Sequence, residues 1–449
     1  MTLGVPRLRR SKLLVCILAT AILCACSNST NSSTPHVTGL KYRVLVSQDV
    51  SSSIAAAGLQ MIDANKDILV RKVISLSTGG AFFPQKMYLS DNRQTTLAMS
   101  NQNNVLGIFS NAQEAGTGVI GLPGPSDSIV ISPDAVNAYA AVATASVPEN
   151  VPGGIVVVSP LGQGAAITAT VPVPSVRYLV RSGDGSRILA FSDNSDSITI
   201  VPPLSIIPGQ GQNTPLTVVG GFDRPVYAFF TPDGSQAYVL NCGPECGGTE
   251  ASIQVLDLLN NTAGAKVAVP GGVTAALVNN QTMFVAGTPQ APDNTCTGPG
   301  AVNTAATSCG RLSIVDLPSL TVTSPGNGYV IPDGYHTMLS LAPNNQLFVG
   351  SRNCSNIYPP LPPATGEQRG CLIIANLNTF NTASPTLVVP PANGDATGLQ
   401  PLATRNFEYV VQGGSFYIID TRTDLVTDGE QTSPLNIIGQ AWDLKLIDF

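Results

Sequence analysis

The sequence predicts an all-β protein, a single β-propeller of eight four-stranded blades. The chain of 449 residues contains 43 Gly and 35 Pro but only 11% charged residues, a balance typical of short strands joined by turns. Hydrophobic residues make up 43% of the chain, which excludes a disordered protein. Short β-type runs recur along it with a period of about 40 to 60 residues, as expected for propeller blades.

One such module spans Asp223 to Leu258 and contains the segments DRPVYAFFTPDGSQAYVLN and SIQVLDL. These segments form three runs rich in Tyr, Phe, Val, Leu and Ile, which favour strands. Asp233 and Gly234 separate the first two runs. This pair predicts a tight hairpin because Gly accepts the positive φ that such turns require.

The number of modules predicts the number of blades. The third strand of each module is the most regular, and two weaker units surround Phe82 and Leu399, so seven blades remain an alternative. The eight candidate third strands end at Asn65, Asn111, Pro160, Pro203, Leu258, Leu317, Leu377 and Thr421.

The two ends of the chain are predicted to share one blade. The N-terminal module lacks a first strand, since Tyr42 begins directly as a second strand. The C-terminal segment AWDLKLIDF alternates apolar and polar residues as a strand does. We therefore expect Ala441 to Phe449 to complete the N-terminal blade, which would close the ring and remove an exposed sheet edge.

Several modules resemble YVTN-type β-propeller repeats, which are related in pattern to WD40 and lactonase-like propellers. The resemblance rests on the SPDG-like hairpins, on Tyr238 to Asn241, and on the strand segments IVDL and IIDT. It covers nearly all of Leu40 to Phe449. It implies a propeller fold, and seven blades are common in that family.

The N-terminus has the features of a bacterial targeting signal. A basic segment from Arg7 to Lys12 precedes an apolar run from Leu13 to Ala25, which is short for a membrane span. The sequence Leu-Cys-Ala-Cys that ends at Cys26 resembles a lipoprotein signal. We expect residues 1–25 to be a cleaved signal peptide, Cys26 to carry lipid, residues 26–39 to form a tether, and residues 40–449 to form the propeller. An ordinary signal peptide and a retained anchor are the alternatives.

This N-terminus predicts a lipid-anchored protein of the bacterial cell envelope, with the outer membrane as the expected location and the membrane as one partner. Removal of its four basic residues would take the formal net charge from −6 to −10. Without a basic stripe to neutralise phosphates, nucleic acid is not an expected partner. We expect a monomer.

Six further cysteines are predicted to form disulfides. They fall into three local pairs between the second and third strands of three successive modules, although six cysteines allow 15 connectivities. An exported protein can keep such bonds. A redox or metal site is a weaker alternative, since no histidine lies nearby. The predicted pairs are Cys242 with Cys246, Cys296 with Cys309, and Cys354 with Cys371.

The sequence identifies no catalytic motif and implies no cofactor or metal. Polar residues in the links that enter first strands are expected near the mouth of the channel, and they are the candidate catalytic residues: Asp223, Arg224, His336 and Asp395. A solvated turn is the ordinary alternative for His336.

The leading functional hypothesis is a non-catalytic binding or scaffolding lipoprotein whose loop-rich face recognises an envelope protein or a glycan. Long loops on a rigid scaffold commonly carry recognition. The first alternative is a lactonase-like or other hydrolase with its site at the channel mouth. The second is an electron-transfer partner, which is less favoured because no cofactor ligands are visible.

Overall fold

The computed structural model of the protein describes residues 37–50, 58–76, 82–147, 151–202, 216–289, 309–326, 328–355, 369–379, 387–388, 394–427, 435, 437 and 439–448. A compact unit begins at Thr38 and contains the whole propeller. Cys26 and Cys296 lie outside the described residues. No helix of the described ranges has both the length and the apolar character needed to cross a membrane.

The described strands form eight antiparallel sheets, which confirms the eight-bladed propeller. Each blade has four strands, and strands are numbered in chain order. Blade 1 contains β1 (Arg43–Val50), β2 (Leu59–Asp63), β3 (Ile68–Ile74) and the C-terminal β33 (Gln440–Leu446), and blade 2 contains β4 (Lys86–Leu89), β5 (Thr95–Ser100), β6 (Val105–Ser110) and β7 (Ala115–Gly121). Blade 3 contains β8 (Ile129–Ile131), β9 (Ala138–Val142), β10 (Gly154–Ser159) and β11 (Ala166–Pro172). Blade 4 contains β12 (Val176–Arg181), β13 (Ile188–Ser192), β14 (Ser197–Val201) and β15 (Thr217–Gly220).

Blades 5 to 8 follow the same plan, except that two short strands share the outer edge of blade 6, where β23 and β24 both pair with β22. Blade 5 contains β16 (Pro225–Phe230), β17 (Gln236–Asn241), β18 (Ser252–Asp257) and β19 (Thr262–Ala268), and blade 6 contains β20 (Ala275–Asn279), β21 (Thr282–Gly287), β22 (Gly310–Asp316), β23 (Thr321–Val322) and β24 (Tyr329–Ile331). Blade 7 contains β25 (Tyr335–Leu341), β26 (Gln346–Cys354), β27 (Arg369–Asn376) and β28 (Leu387–Val388). Blade 8 contains β29 (Ala396–Leu402), β30 (Phe407–Gln412), β31 (Ser415–Asp420) and β32 (Leu425–Val426). Short 3₁₀ turns span Gly243–Cys246 and Leu377–Thr379.

Burial explains why the middle strands of a blade are apolar on both faces. All five residues of β9 are buried, as are all five of β2. Each blade packs between two neighbours, so both faces of its second and third strands lose contact with water. The outermost strands have solvent on one side, and β19 accordingly has exposed and half-buried residues along its length.

Three of the hairpins between first and second strands share one structure. In each of the three, a hydroxyl donates to an Asp carboxylate two residues later, and that carboxylate accepts a backbone N–H from two residues further on. The hydroxyl–carboxylate pairs are Ser132 with Asp134 at 2.5 Å, Ser182 with Asp184 at 2.6 Å and Thr231 with Asp233 at 2.6 Å.

The C-terminal strand closes the ring as predicted. β33 pairs antiparallel with β1 through Val44 and Leu446. It also reaches both neighbouring blades: Asp443 Oδ2 accepts a hydrogen bond from the Met87 amide of blade 2 at 2.8 Å, and the Leu446 amide donates to Gln400 Oε1 of blade 8 at 2.9 Å. The termini of the propeller are therefore tied into its sheets rather than left as free edges.

Strand direction alternates within each blade, so the first strands begin on the face that carries the loops between second and third strands. We call this the top face. The opposite face, which carries the hairpins between first and second strands, is the bottom face. The predicted loops with cysteines in blades 5, 6 and 7 therefore belong to the top face.

Candidate functional site at the channel mouth

Disulfides fix two of the top loops. The Cys242–Cys246 bond has a Cα–Cα distance of 5.6 Å and the Cys354–Cys371 bond one of 6.2 Å, both within the normal range. These two predicted pairs are confirmed. Cys309 is buried and disulfide-bonded, and its predicted partner, Cys296, lies outside the described residues.

Asp223, a predicted site residue, organises the first of these loops. Its carboxylate accepts hydrogen bonds from the Thr249 amide at 2.9 and 3.0 Å, from the Thr249 hydroxyl, and from the Glu250 amide at 2.7 Å. Burial alone would raise the pKa of Asp223, but these hydrogen bonds outweigh burial and lower it. Its acceptor capacity is thus used to hold the chain that follows the disulfide.

Arg224, the next predicted residue, joins blade 5 to blade 4. Its Nη1 donates to the Asn194 carbonyl at 2.5 Å and lies 3.6 Å from Asp196 Oδ1, while its amide donates to the same Oδ1 at 3.2 Å. The backbone at Arg224 is in the left-handed region, with φ 55°. Its contacts are therefore those of a link between two blades.

His336 lies inside β25 rather than in the link before it, and its side chain faces the protein interior. Only 1% of the residue is exposed. Its Nε2 lies 3.2 Å from the Pro332 carbonyl, and Nδ1 has no hydrogen-bond partner. Burial lowers the pKa of His336 to about 4, so the imidazole is neutral at physiological pH.

Asp395 immediately precedes β29 at the top of blade 8, and the residue is exposed to solvent. Burial of part of the carboxyl raises the pKa of Asp395, and the nearby Arg352 opposes that rise. Asp223 and Arg224 are chain neighbours, but within the described part of the chain no hydrogen bond or salt bridge joins them to His336 or Asp395, or joins His336 to Asp395. The four predicted residues thus occupy the entrances of three blades without forming one cluster.

A charged network that the sequence analysis missed spans the mouth between blades 2, 3 and 4. Lys86 Nζ donates to the Asp127 carbonyl at 3.1 Å and lies 3.8 Å from Asp127 Oδ1. Arg177 Nη2 lies 3.0 Å from Asp127 Oδ2, and its Nη1 is 3.9 Å from Asp193. One carboxylate thus holds cations from the two blades on either side of it.

A second group projects from blade 7. The Arg352 guanidinium lies over the Tyr335 ring, with Cζ 4.9 Å from the ring centroid, a favourable cation–π arrangement. Burial raises the pKa of Tyr335 to about 12. Arg352 itself is exposed, and its guanidinium forms no salt bridge with a carboxylate of the described ranges.

These two groups are close enough to interact across the channel. Burial lowers the pKa of Lys86, and the positive charges of Arg177 and Arg352 lower it further, against the opposing effect of Asp127 and Asp443. Tyr178 of blade 4, in turn, contributes to the raised pKa of Tyr335 in blade 7. Cations and tyrosines of blades 2, 4 and 7 therefore converge at the mouth.

Glu245, in the disulfide loop of blade 5, also lies near Tyr335 at the channel mouth. Its Oε2 accepts the Thr288 amide of blade 6 at 3.0 Å, and it fits a slot that exists because residue 272 is Gly, where an added Cβ would lie 1.8 Å from Oε2. Burial raises the pKa of Glu245 to about 7, and its charge contributes to the raised pKa of Tyr335. The only signal in the sequence was its position inside a predicted disulfide loop.

The described residues contain no group of three or more His, Cys, Asp or Glu side chains that could hold a metal ion. The chemistry available at the mouth is that of planar guanidinium donors, a buried amine, carboxylates and tyrosine rings. Such a surface can bind a polar ligand through several directed hydrogen bonds and ring contacts.

No protein-family model matches the chain, and no curated protein matches its sequence. Solved structures share its architecture. The chain is similar to dihydro-heme d1 dehydrogenase NirN with a TM-score of 0.60 and 9% identity, over 91% of this chain and 75% of that one. It is similar to a eukaryotic initiation factor with a TM-score of 0.51 and 10% identity, over 92% and 99% of the two chains.

Hydrazine synthase from Kuenenia stuttgartiensis is a third similar structure, with a TM-score of 0.50 and 14% identity, over 76% of this chain and 96% of that one. At such identities the likeness concerns the fold, and one fold serves many functions. The protein thus has the fold of an eight-bladed β-propeller.

Proposed function

We propose that this protein is a non-catalytic, lipid-anchored binding protein of the bacterial envelope that holds a glycan at the mouth of its channel. The observation that carries this proposal is the convergence of Lys86, Arg177 and Arg352 with Tyr178 and Tyr335. A sugar presents hydroxyl groups that pair with charged side chains and apolar ring faces that pack on aromatic rings, so this combination suits it.

The mouth is preorganised for binding. Asp127 holds both Lys86 and Arg177 in place, and Tyr335 supports the Arg352 guanidinium. Side chains that are already ordered lose less conformational entropy when a ligand arrives. Arg352 also keeps its guanidinium donors free of any described carboxylate, which suits a ligand that carries an acidic group.

The distribution of apolar residues favours a glycan over a protein partner. The exposed large hydrophobic residues of the described chain include Val119 on β7, Ile167 on β11, Val218 on β15 and Leu425 on β32. These four lie on the outer strands of four different blades, and the others lie outside strands or, for Tyr227, on the innermost strand of blade 5. Protein interfaces commonly bury an apolar centre, and residues scattered in this way do not form one.

The hydrolase alternative has weaker support. Asp223 and Arg224 are engaged in contacts that hold loops together, and His336 is buried beside Pro332. An acid–base catalyst must reach its substrate. Glu245, with its pKa near 7, is the mouth residue best suited to such chemistry.

The proposal is tested by measuring binding of the purified protein to a panel of neutral and acidic oligosaccharides from bacterial envelopes, by calorimetry. We expect one class to bind and Arg352→Ala to weaken it about tenfold or more, because a hydrogen bond to a charged group contributes about 1.5–3 kcal/mol. Lys66→Ala, which removes an exposed cation from the turn between β2 and β3, is the matched control and should bind normally. Equal binding by both variants would contradict the proposed site, and cleavage of the oligosaccharide would favour the hydrolase.

The lipid anchor is a separate part of the proposal and rests on the N-terminal sequence. Acyl chains on Cys26 would hold the protein at a membrane by burying their methylene groups, with residues 26–39 as a tether. The intact mass of the mature protein from its native host should include acyl groups. Cys26→Ser should remove that mass and release the protein from the membrane fraction, and an unchanged mass would refute the anchor.

A further inference from the structure

The bottom face carries a cavity of about 340 Å³ that lies opposite the channel mouth. Hairpins of three neighbouring blades form its wall, with Asn279 from blade 6, Ala342 and Pro343 from blade 7, and Pro401 from blade 8. This cavity is separate from the proposed glycan site on the top face.

Glu408 lies behind the cavity wall and points toward blade 7. On β30 it is the cross-strand partner of Pro401, which lines the cavity, so both side chains project from the same face of blade 8. Val410, two residues along the strand, packs in the apolar cluster shared by blades 7 and 8. Glu408 therefore occupies the seam between these blades, where its exposure is 0%.

Several residues of this seam carry oxygen atoms without hydrogen-bond partners. Both carboxyl oxygens of Glu408 are buried with no hydrogen-bond partner, and so are Gln346 Oε1, Asn344 Oδ1 and Thr421 Oγ1. Gln346 lies two residues before Phe348 of the same apolar cluster and so faces blade 8. Asn344 Nδ2 donates to the Thr421 carbonyl at 2.6 Å, which joins the two blades at the same end of the seam.

This arrangement is unusual because buried polar atoms nearly always have partners. Four of the five atoms are carboxyl or amide oxygens, which can only accept hydrogen bonds unless the carboxyl is protonated. What the seam lacks is therefore a donor or a positive charge.

Among the residues that the structure describes, none supplies such a charge to Glu408. The side chains that face it from the neighbouring strands are those of Pro401, Ser340, Gln346 and Ile419, none of which titrates. Burial raises the pKa of Glu408 to about 8, and the nearby Ser340 hydroxyl opposes that rise.

We propose that this seam binds a monovalent cation, either an alkali metal ion or a primary ammonium group, through Glu408, Gln346 and Asn344. Carboxylate and amide oxygens are the ligands that hard cations prefer. One carboxylate neutralises one positive charge, whereas a divalent ion would leave an uncompensated buried charge. The adjoining cavity offers room for the organic group of an ammonium ligand.

The test measures the melting temperature of the full chain at about pH 9, where the carboxyl of Glu408 ionises. Sodium, potassium and methylammonium chlorides are compared with tetramethylammonium chloride at equal ionic strength, because the last cation has no N–H donor and is too large for close contact with the oxygens. We expect at least one of the first three salts to raise the melting temperature by several degrees, since ligands of the folded state stabilise it. The effective salt distinguishes an alkali ion from an ammonium group.

Glu408→Gln keeps the shape of the side chain and removes its charge, so it should abolish the cation-specific rise. Between about pH 6 and pH 8 the cation competes with a proton, so the apparent affinity of the unaltered protein should fall about tenfold for each unit that the pH decreases. If Glu408→Gln does not fold, Gln346→Leu removes one oxygen without changing the charge and should weaken binding. Equal effects of all four salts, or an undiminished rise in these variants, would overturn the proposal.

Discussion

Blade 8 meets its two neighbours through seams of contrasting electrostatic character. On the side of blade 1, the Arg405 guanidinium donates to both carboxylate oxygens of Asp67, at 2.5 and 2.6 Å, and the Tyr409 hydroxyl donates to the same carboxylate. On the side of blade 7, both carboxyl oxygens of Glu408 lack a partner. Glu408 and Tyr409 are adjacent in β30, so a single strand supplies a residue to each seam.

The difference shows two ways in which a buried carboxyl is accommodated. Asp67 lies beside a guanidinium that is itself packed on the Phe407 ring, 4.4 Å from Arg405 Cζ to the ring centroid. Glu408 has no counter-ion among the described residues, and burial favours its protonated form. The Asp67 carboxylate has its partners within the protein, whereas the Glu408 carboxyl depends on a proton or on a ligand.

The largest expected effect comes from breaking the ion pair at the seam with blade 1. Asp67→Ala removes the carboxylate that accepts hydrogen bonds from both the Arg405 guanidinium and the Tyr409 hydroxyl. Loss of one member of a buried ion pair costs about 3–5 kcal/mol. We therefore expect the free energy of unfolding, measured by urea denaturation, to fall by about that amount.

An exposed pair provides the matched control for this prediction. Asp91 accepts two hydrogen bonds from Arg181 Nη2, at 2.8 and 2.7 Å, but its side chain is 55% exposed. Asp91→Ala should cost less than about 1 kcal/mol, because water screens the charges of surface pairs. Equal losses for the two variants would show that the seam with blade 1 does not depend on its buried charge.

The sequence predicts the repeating parts of this molecule well. Asp233 and Gly234 identify a hairpin by local turn chemistry, and the alternation around Trp442 identifies the closing strand. These features depend on neighbours in the chain, so a single sequence contains them. The same holds for the local pairs Cys242 with Cys246 and Cys354 with Cys371.

Contacts between blades could not be predicted in the same way. Asp67 and Arg405 are separated by 338 positions, and the Lys86 and Arg177 that share Asp127 come from different blades. No periodicity specifies which residues of distant repeats meet. His336 illustrates the limit within a blade, because a shift of one or two residues at a strand end decides whether a side chain faces solvent or the core.

The seam with blade 7 predicts an effect of a different kind, because it depends on pH. The pKa of Glu408 is about 8 in the folded protein, against 4.5 for an ordinary Glu. Below about pH 4.5 both states are protonated and the contribution of Glu408 to stability is fully present. Between the two pKa values the unfolded chain loses its proton and the folded chain keeps it, so the free energy of unfolding falls as the pH rises, by at most about 1.4 kcal/mol per unit. Above about pH 8 the loss is complete.

Glu408→Gln isolates the contribution of Glu408. Burial also raises the pKa of Glu245, but this second contribution is present in both proteins and cancels from the difference between their free energies of unfolding. The measurement is urea denaturation from about pH 4 to about pH 9, in buffers whose only cation is tetramethylammonium. The variant should gain stability relative to the unaltered protein as the pH rises and then keep a constant advantage above about pH 8. A constant difference over the whole range would show that Glu408 has an ordinary pKa and a partner of its own, and the contrast between the two seams would then disappear.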